Sequence, residues 1–281
     1  MKKLALLMIG LMFITISGCD AEPAKTISAF VGSASKPPME EAAQAFERAT
    51  GIHVYANYGG SGTMLSQIEL SKSGDIYMPG SPDYIVKAEN KNVIDPASVK
   101  KVAYLVPVIA VQKGNPLNIR SLADLARPGL KVGIGNPEAV CLGLYSIEIL
   151  DYNGLLADVG RNIVVNVESC EKTAALISLK TVDAVIGWDV FHQWDPDTID
   201  IVYVEPAQLP RLAYIPAAIS SFAADKSGAE KFLDFLVSAK GQEIFKKFGY
   251  ITEESEARKF APDAQIGGEY RLPAGYQDLM K

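Results

Sequence analysis

A strand that runs into a Gly/Ser turn and resumes as a helix occurs twice near the amino end. That repeat confines the fold more than any other feature. Ile52-His53-Val54-Tyr55-Ala56-Asn57-Tyr58 alternates as a strand, and Gly59-Gly60-Ser61-Gly62-Thr63 follows it. Met64, Leu65, Ile68 and Leu70 then recur near helical spacing, which predicts a helix start at Gly62 or Thr63. Thr26 to Val31 begins the other copy, continued by Gly32-Ser33-Ala34-Ser35-Lys36-Pro37-Pro38. A helix from about Pro38 carries Met39, Ala42, Ala43, Phe46 and Ala49 on one face. The first turn of a helix leaves N–H groups unpaired and carries about half a positive charge. Glycines let a ligand reach that backbone, and serine hydroxyls add donors. A single turn of this kind is also an ordinary N-cap. Two in one sheet aim two helix starts at one crevice, where open α/β sheets bind ligands. Lys36 reads as a solvated surface lysine.

The alternation continues and predicts an α/β architecture. Gly74 to Asp83 reads as a short strand into a turn, with a helix from about Pro82 to Lys91. Val102 to Val111 is a β-rich run long enough to cross between two lobes. Ser121 caps a short helix closed by Pro128-Gly129, and Lys131 to Gly135 is a strand. A third Gly-containing turn, Gly135 to Gly143, leads into a helix over Leu144 to Leu150 or from as early as Pro137. Ile163 to Val167 is a strand, and Ser169 or Cys170 opens a helix ending near Lys180. Strands follow at Asp183 to Asp189, Ile201 to Val204 and Tyr214 to Ser220, then helices at Ala229 to Val237 and Gly241 to Phe248. From about Glu253 to Lys281 the chain reads as an irregular tail with no assigned function.

The 281 residues are 48% hydrophobic and carry a net charge of −6, enough for one or two well-filled cores. The acidic balance argues against nucleic-acid or anionic-membrane binding through bulk charge. Met1-Lys2-Lys3 and the apolar run Leu4 to Ile16 form a signal-peptide pattern too short to span a membrane. Ile16-Ser17-Gly18-Cys19 resembles a bacterial lipobox, so residues 1–18 read as a signal peptide, Cys19 as a lipidated residue and 19–25 as a tether. Asp20 resembles the signal that keeps lipoproteins on the outer face of the cytoplasmic membrane, facing the periplasm. Cys141 and Cys170 remain, in no CxxC or Cys/His cluster that would hold zinc.

Catalytic signatures are missing: no Gly-x-Ser-x-Gly elbow, HExxH or Walker sequence occurs. The two histidines are His53, in a strand, and His192, which with Asp189, Asp195 and Asp197 reads as a metal site or as a solvated loop. A cleft without general acid–base groups reads as a binding site rather than an enzyme.

Several local sequences, in order, resemble the periplasmic molybdate- and tungstate-binding proteins of ABC transporters, which are type II solute-binding proteins. They are Ser33-Ala34-Ser35; Ser61 to Glu69; Gly74-Asp75-Ile76-Tyr77; Asn136-Pro137-Glu138 with Gly143-Leu144-Tyr145; Asp183-Ala184 before Trp188; and Phe245 to Tyr250, spanning about residues 26–252. The resemblance implies a two-lobed type II periplasmic-binding-protein fold. Each lobe would be a mixed sheet flanked by helices, with the ligand in the interlobe cleft. Lobe 1 would comprise 26–107 plus 214–281, and lobe 2 would comprise 108–213.

Carried over residue by residue, the family's anion donors fall on Ser33 or Ser35, on Ser61, and on the backbone N–H groups of Leu142 and Cys170. A tyrosine donor of the family falls on Trp188, whose indole N–H donates but cannot accept. The carboxylate ligands of an archaeal tungstate/molybdate branch fall on Ala139 and Gly187, so the metal would be bound only as the oxyanion. The implied ligand is molybdate or tungstate, with no cofactor. The implied partners are an inner-membrane ABC permease and its ATPase, with the chain a monomer held by a lipid anchor. The same match brings Cys141 and Cys170 close enough for a disulfide. The alternatives are another type II ligand (sulfate, ferric iron or a small organic acid) or a sensory or adaptor lipoprotein.

Overall fold

The computed structural model describes residues 25–280, so the signal peptide, Cys19 and nearly all of the tether lie outside the described residues. In chain order the strands and helices are β1 (Thr26–Gly32), α1 (Lys36–Thr50), β2 (His53–Gly59), α2 (Ser61–Ser71), β3 (Ile76–Met78), α3 (Pro82–Asn90), β4 (Lys100–Leu105) and β5 (Pro107–Gln112). Then come β6 (Val132–Gly135), α4 (Cys141–Tyr152), α5 (Leu156–Gly160), β7 (Ile163–Val167), α6 (Cys170–Ser178), β8 (Ala184–Trp188), α7 (Phe191–Trp194) and β9 (Ile199–Tyr203). The last are β10 (Arg211–Ile219), α8 (Lys226–Val237), α9 (Ala239–Lys247), α10 (Glu254–Ala257) and β11 (Gln265–Ile266).

The strands form two mixed sheets. The first runs β11-β10-β3-β1-β2, with β4 also paired to β10, and the second runs β7-β6-β8-β5-β9. In the first sheet β1 is parallel to β2 and β3, while β10 is antiparallel to β3 and β4. In the second, β6 is parallel to β7 and β8, and β5 is antiparallel to β8 and β9. The expected α/β architecture of two mixed sheets with flanking helices is therefore the observed one.

Local chemistry explains the boundaries. Pro37 and Pro38 occupy the first turn of α1, where missing N–H groups cost nothing, and Gly51 ends it in the left-handed region at φ 73°. Helix α4 is buried from Cys141 through Leu150, which is why its apolar residues show no clean single face. Ser121 and Asp124 form a reciprocal cap, so the expected short helix is the 3-10 turn Leu122–Ala126. The Gly74-Asp75 sequence is structural. Buried Asp75 accepts the Ser28 N–H at 2.7 Å and the N–H groups of Ala224 and Asp225 at 2.8 and 3.0 Å, tying β1 to the approach to α8.

The Val102–Val111 run does cross between the sheets: β4 belongs to the first, β5 to the second, and only Val106 lies between them. Asp189, just after β8, holds that crossing. Its N–H donates to Val106 O at 3.0 Å, and its carboxylate accepts the Val106 N–H at 3.1 Å. A buried three-way ion pair joins the sheets elsewhere. Arg211 on β10 grips Glu148 on α4 through both carboxylate oxygens at 2.7–2.9 Å and reaches Asp83 on α3 at 3.0 Å. Removing one partner of such a buried network leaves an uncompensated charge, a loss of about 3–5 kcal/mol.

Burial pushes the Asp189 carboxyl up to about 7, against the pull of the Val106 and Val190 N–H groups. An aspartate in the unfolded chain titrates near 3.9, so between about pH 4 and 7 the native state holds a proton that the unfolded chain has released. Stability should therefore fall as pH rises through that window and level off above it. Urea midpoints measured across pH should show the slope in the wild type and a flatter one in Asp189→Asn. Equal slopes would contradict this reading.

Candidate functional site

The two lobes meet along a seam built from helix starts. On the first sheet, β1 leads through the turn Ser33–Ser35 into α1, and β2 leads through Gly60 into α2. On the second, α4 begins at Cys141 and α6 at Cys170, with the Ser169 hydroxyl accepting the Lys172 N–H at 3.1 Å as a cap. These four helices run 15, 11, 12 and 9 residues, long enough for developed dipoles. Strand ends at one edge of each sheet explain why the Gly/Ser turns face the opposite lobe.

The central contact is the Cys170 N–H donating to the Ser33 hydroxyl at 3.0 Å, across the seam. Beside it, the Ser61 hydroxyl accepts the Gly80 N–H at 3.0 Å, and the Tyr77 hydroxyl holds the Ser61 carbonyl at 2.8 Å. Both serine oxygens thus accept a backbone N–H, which leaves their own hydrogens to donate. Ser35 plays a different part: its hydroxyl donates back to Gly32 O at 3.0 Å and stabilises the turn. Of the two alternatives at the first turn, Ser33 faces the other lobe.

Trp188, at the end of β8, is fully buried and packs edge-on against Tyr145, with ring centroids 5.3 Å apart. Among the described residues the Trp188 indole N–H and the Tyr145 hydroxyl are both buried with no hydrogen-bond partner. The indole lies near the Cys170 thiol, a poor acceptor, and makes no hydrogen bond of normal geometry to it. Tyr145 sits one helical turn beyond Cys141 on α4, with the Arg211 guanidinium 4.6 Å from its ring centre. Its i, i+4 spacing from Cys141 is a sequence signal that puts Tyr145 on the same helix face.

Among the described residues Cys141 and Cys170 stand as buried thiols with no bridge drawn between them. The two thiols lie near each other, and Cys141 acts on the titration of Cys170. The Cys141 thiol, followed by burial, pushes the Cys170 thiol well above its ordinary range, against the Trp188 and Leu142 N–H groups that favour the ionised form. Leu142 is buried in the first turn of α4.

Closure depends on missing side chains. A Cβ at Gly60 would stand 2.6 Å from Glu168 O and 2.8 Å from Ala139 O, and one at Gly80 would stand 2.7 Å from the Cys141 sulfur. Gly62 donates to Ala139 O at 2.8 Å, Tyr84 donates to Glu138 O at 3.3 Å, and Lys36 pairs with Glu171 at 2.9 Å. Lys36 is thus a bridge between lobes, although a partly exposed pair of this kind contributes only about 0–1 kcal/mol. An open cavity of about 510 Å³ lies at the seam's mouth, between Tyr58, Thr63 and Gln67 on one side and Ser169 and Lys172 on the other.

The His192 region is occupied by internal contacts. His192 Nδ1 faces Ile199 O at 2.6 Å, and the Asp195 carboxylate accepts the Ser178 hydroxyl at 2.7 Å and the Thr198 hydroxyl. Among the described residues no group of three or more His, Cys, Asp or Glu is placed to hold a metal ion.

Gly60→Ala should block this seam while leaving the fold intact, because φ −63° and ψ 143° suit alanine. Small-angle scattering should give a larger radius of gyration for the variant than for wild type under ligand-saturating conditions. Equal radii would mean that the Gly60 contact does not limit closure.

Residues 27–251 match the Bacterial extracellular solute-binding protein family. A putative binding protein of Haemophilus influenzae is 27% identical over 227 residues, covering 79% of this chain and 89% of that one. The periplasmic molybdate-binding protein of Azotobacter vinelandii superposes with a TM-score of 0.71 at 20% identity, over 81% of this chain and all (100%) of that one. The sulfate-binding protein SubI of Mycobacterium tuberculosis gives 0.72 at 16% identity, over 87% and 93%. Likeness at these identities establishes the two-lobed binding-protein fold, and the family match establishes membership. The chain belongs to the bacterial extracellular solute-binding protein family.

Proposed function

We propose that the interlobe seam captures a tetrahedral oxyanion, molybdate or tungstate, and that the closed protein delivers it to an ABC permease and its ATPase. In this reading lipid on Cys19 holds the chain at the outer face of the cytoplasmic membrane. The observation that carries it is the meeting of Ser33 and the Cys170 N–H across the seam, with Ser61 beside them. Parting the lobes slightly exchanges that one bond for an anion that both groups can donate to. Ser33, Ser61, Trp188 and the N–H groups of Leu142 and Cys170 are the donors. Ser35 shapes the turn they depend on.

The energetics favour a fully deprotonated ion. Burying a dianion costs tens of kcal/mol in the idealised limit, while each charge-assisted hydrogen bond returns about 1.5–3 kcal/mol and a partly buried helix start up to about 2 kcal/mol. About five to seven donors are then needed, within reach of this cluster. A lining of donors alone rejects an oxyanion that keeps a proton, because its O–H finds no acceptor.

Calorimetric titration with molybdate, tungstate, sulfate and phosphate tests the assignment. Molybdate or tungstate should bind and raise the melting temperature by mass action, and Ser61→Ala should weaken binding about tenfold or more, as loss of one charge-assisted bond requires. Ser66→Ala, inside α2, should change little. Tight sulfate binding without molybdate binding would assign the same cleft to a different anion. Binding of an organic ligand while all four anions fail at millimolar concentration would overturn the reading.

A further inference from the structure

The carboxyl-terminal tail makes a directed set of contacts. After α9 the chain passes Ile251, which bridges Tyr104, and α10, and Ala257, Ala261, Ala264 and Tyr276 are then buried in the apolar cluster of the second lobe. Strand β11 lies parallel to the start of β10, and the Arg211 guanidinium donates to Gly268 O at 3.0 Å. Asp83 takes the Tyr270 N–H at 2.8 Å on the same oxygen that meets Arg211. The Tyr270 hydroxyl donates to Asp151, at the end of α4, at 3.0 Å. The tail therefore links α3 of the first lobe to α4 of the second.

Its last contacts fall on the loop that delivers the second-lobe donors. The Tyr276 hydroxyl and the Gln277 amide both donate to Glu138 Oε1, at 3.1 and 2.8 Å. Glu138 lies three residues before Cys141, inside the turn that starts α4. The same turn is braced within its lobe, with the Glu138 N–H on the side-chain Asn136 Oδ1 at 3.0 Å and the Asn136 N–H on Val167 O of β7 at 2.8 Å. From it, Glu138 O and Ala139 O reach across the seam to Tyr84 and Gly62. Loss of the Glu138 anchor would free the turn on the side away from those contacts.

We propose that the tail is a strap whose Tyr276 and Gln277 position the 136–142 turn through Glu138, and so set the affinity of the cleft for its anion. The affinity half of this rests on the oxyanion reading above. These are positioning residues that never touch the ligand. Two hydrogen bonds from neutral donors to a carboxylate govern how often the turn opens, and not whether the lobe folds, since the buried alanines and Tyr276 ring hold the tail in place.

The test is hydrogen–deuterium exchange of amides 136–142 in the full protein, with molybdate calorimetry on the same samples. The Tyr276→Phe/Gln277→Ala double variant keeps the buried ring and should speed exchange in this segment about tenfold, leaving the Ser33 turn unchanged. Molybdate affinity should fall about 3- to 30-fold, the fraction of two hydrogen bonds passed on to the site. Glu138→Ala should reproduce both effects, and Glu138→Gln, which keeps an acceptor oxygen, should restore most of the wild-type behaviour. Unchanged exchange in the double variant would overturn the strap. Faster exchange with unchanged molybdate affinity would overturn its functional role. Faster exchange in a protein whose wild type binds no oxyanion would support the strap and defeat the oxyanion reading instead.

Discussion

Four helix starts face one another across the seam, and the Cys170 N–H bonds the Ser33 hydroxyl across it. Each start carries a partial positive charge, so bringing them together is unfavourable unless negative charge or an accepting oxygen lies between them. The serine oxygens supply some of that acceptance, Ser61 to Gly80 and Ser33 to Cys170. An oxyanion would supply more. The rest of the architecture follows from this constraint: two sheets whose strand ends point at each other, a crossing reduced to Val106, and glycines at 60 and 80 where any side chain would hold the lobes apart.

Supporting interactions differ greatly in weight. Lys36 and Glu171 bridge the lobes at the rim, in contact with water, and contribute little. Arg211, Glu148 and Asp83 lie buried, and breaking them would cost several times more, about 3–5 kcal/mol. The Tyr145 ring lies against that guanidinium, and among the described residues its hydroxyl has no partner. Under the proposed function, donors already held by rigid elements would reduce the ordering cost of binding.

Much of this was legible in the chain itself. The Gly/Ser turns, the strand that crosses lobes and the helix starting at Cys170 are local patterns with local causes, and the structure places them as expected within a residue or a few. Ser33 against Ser35 was open in the sequence, because spacing alone does not say which hydroxyl turns back on its own carbonyl. The Cys141–Cys170 pairing rested on the family match alone, and the structure draws the two as buried, unbridged thiols. Gly80 carried no signal, since its importance lies in a sulfur brought to it from the other lobe. The tail was unreadable because its order depends on partners more than a hundred positions away, Glu138 and Asp151 among them.

The most direct measurement of the central claim is anomalous diffraction at the molybdenum or tungsten edge from crystals grown with the corresponding oxyanion. The account predicts a single strong peak between the lobes, with oxygens within hydrogen-bond distance of Ser33 Oγ, Ser61 Oγ and the Cys170 N–H, and with the Cys170–Ser33 bond replaced by bonds to the ion. A peak confined to the outer surface, or a closed seam that keeps the Cys170–Ser33 bond while the metal binds elsewhere, would contradict it.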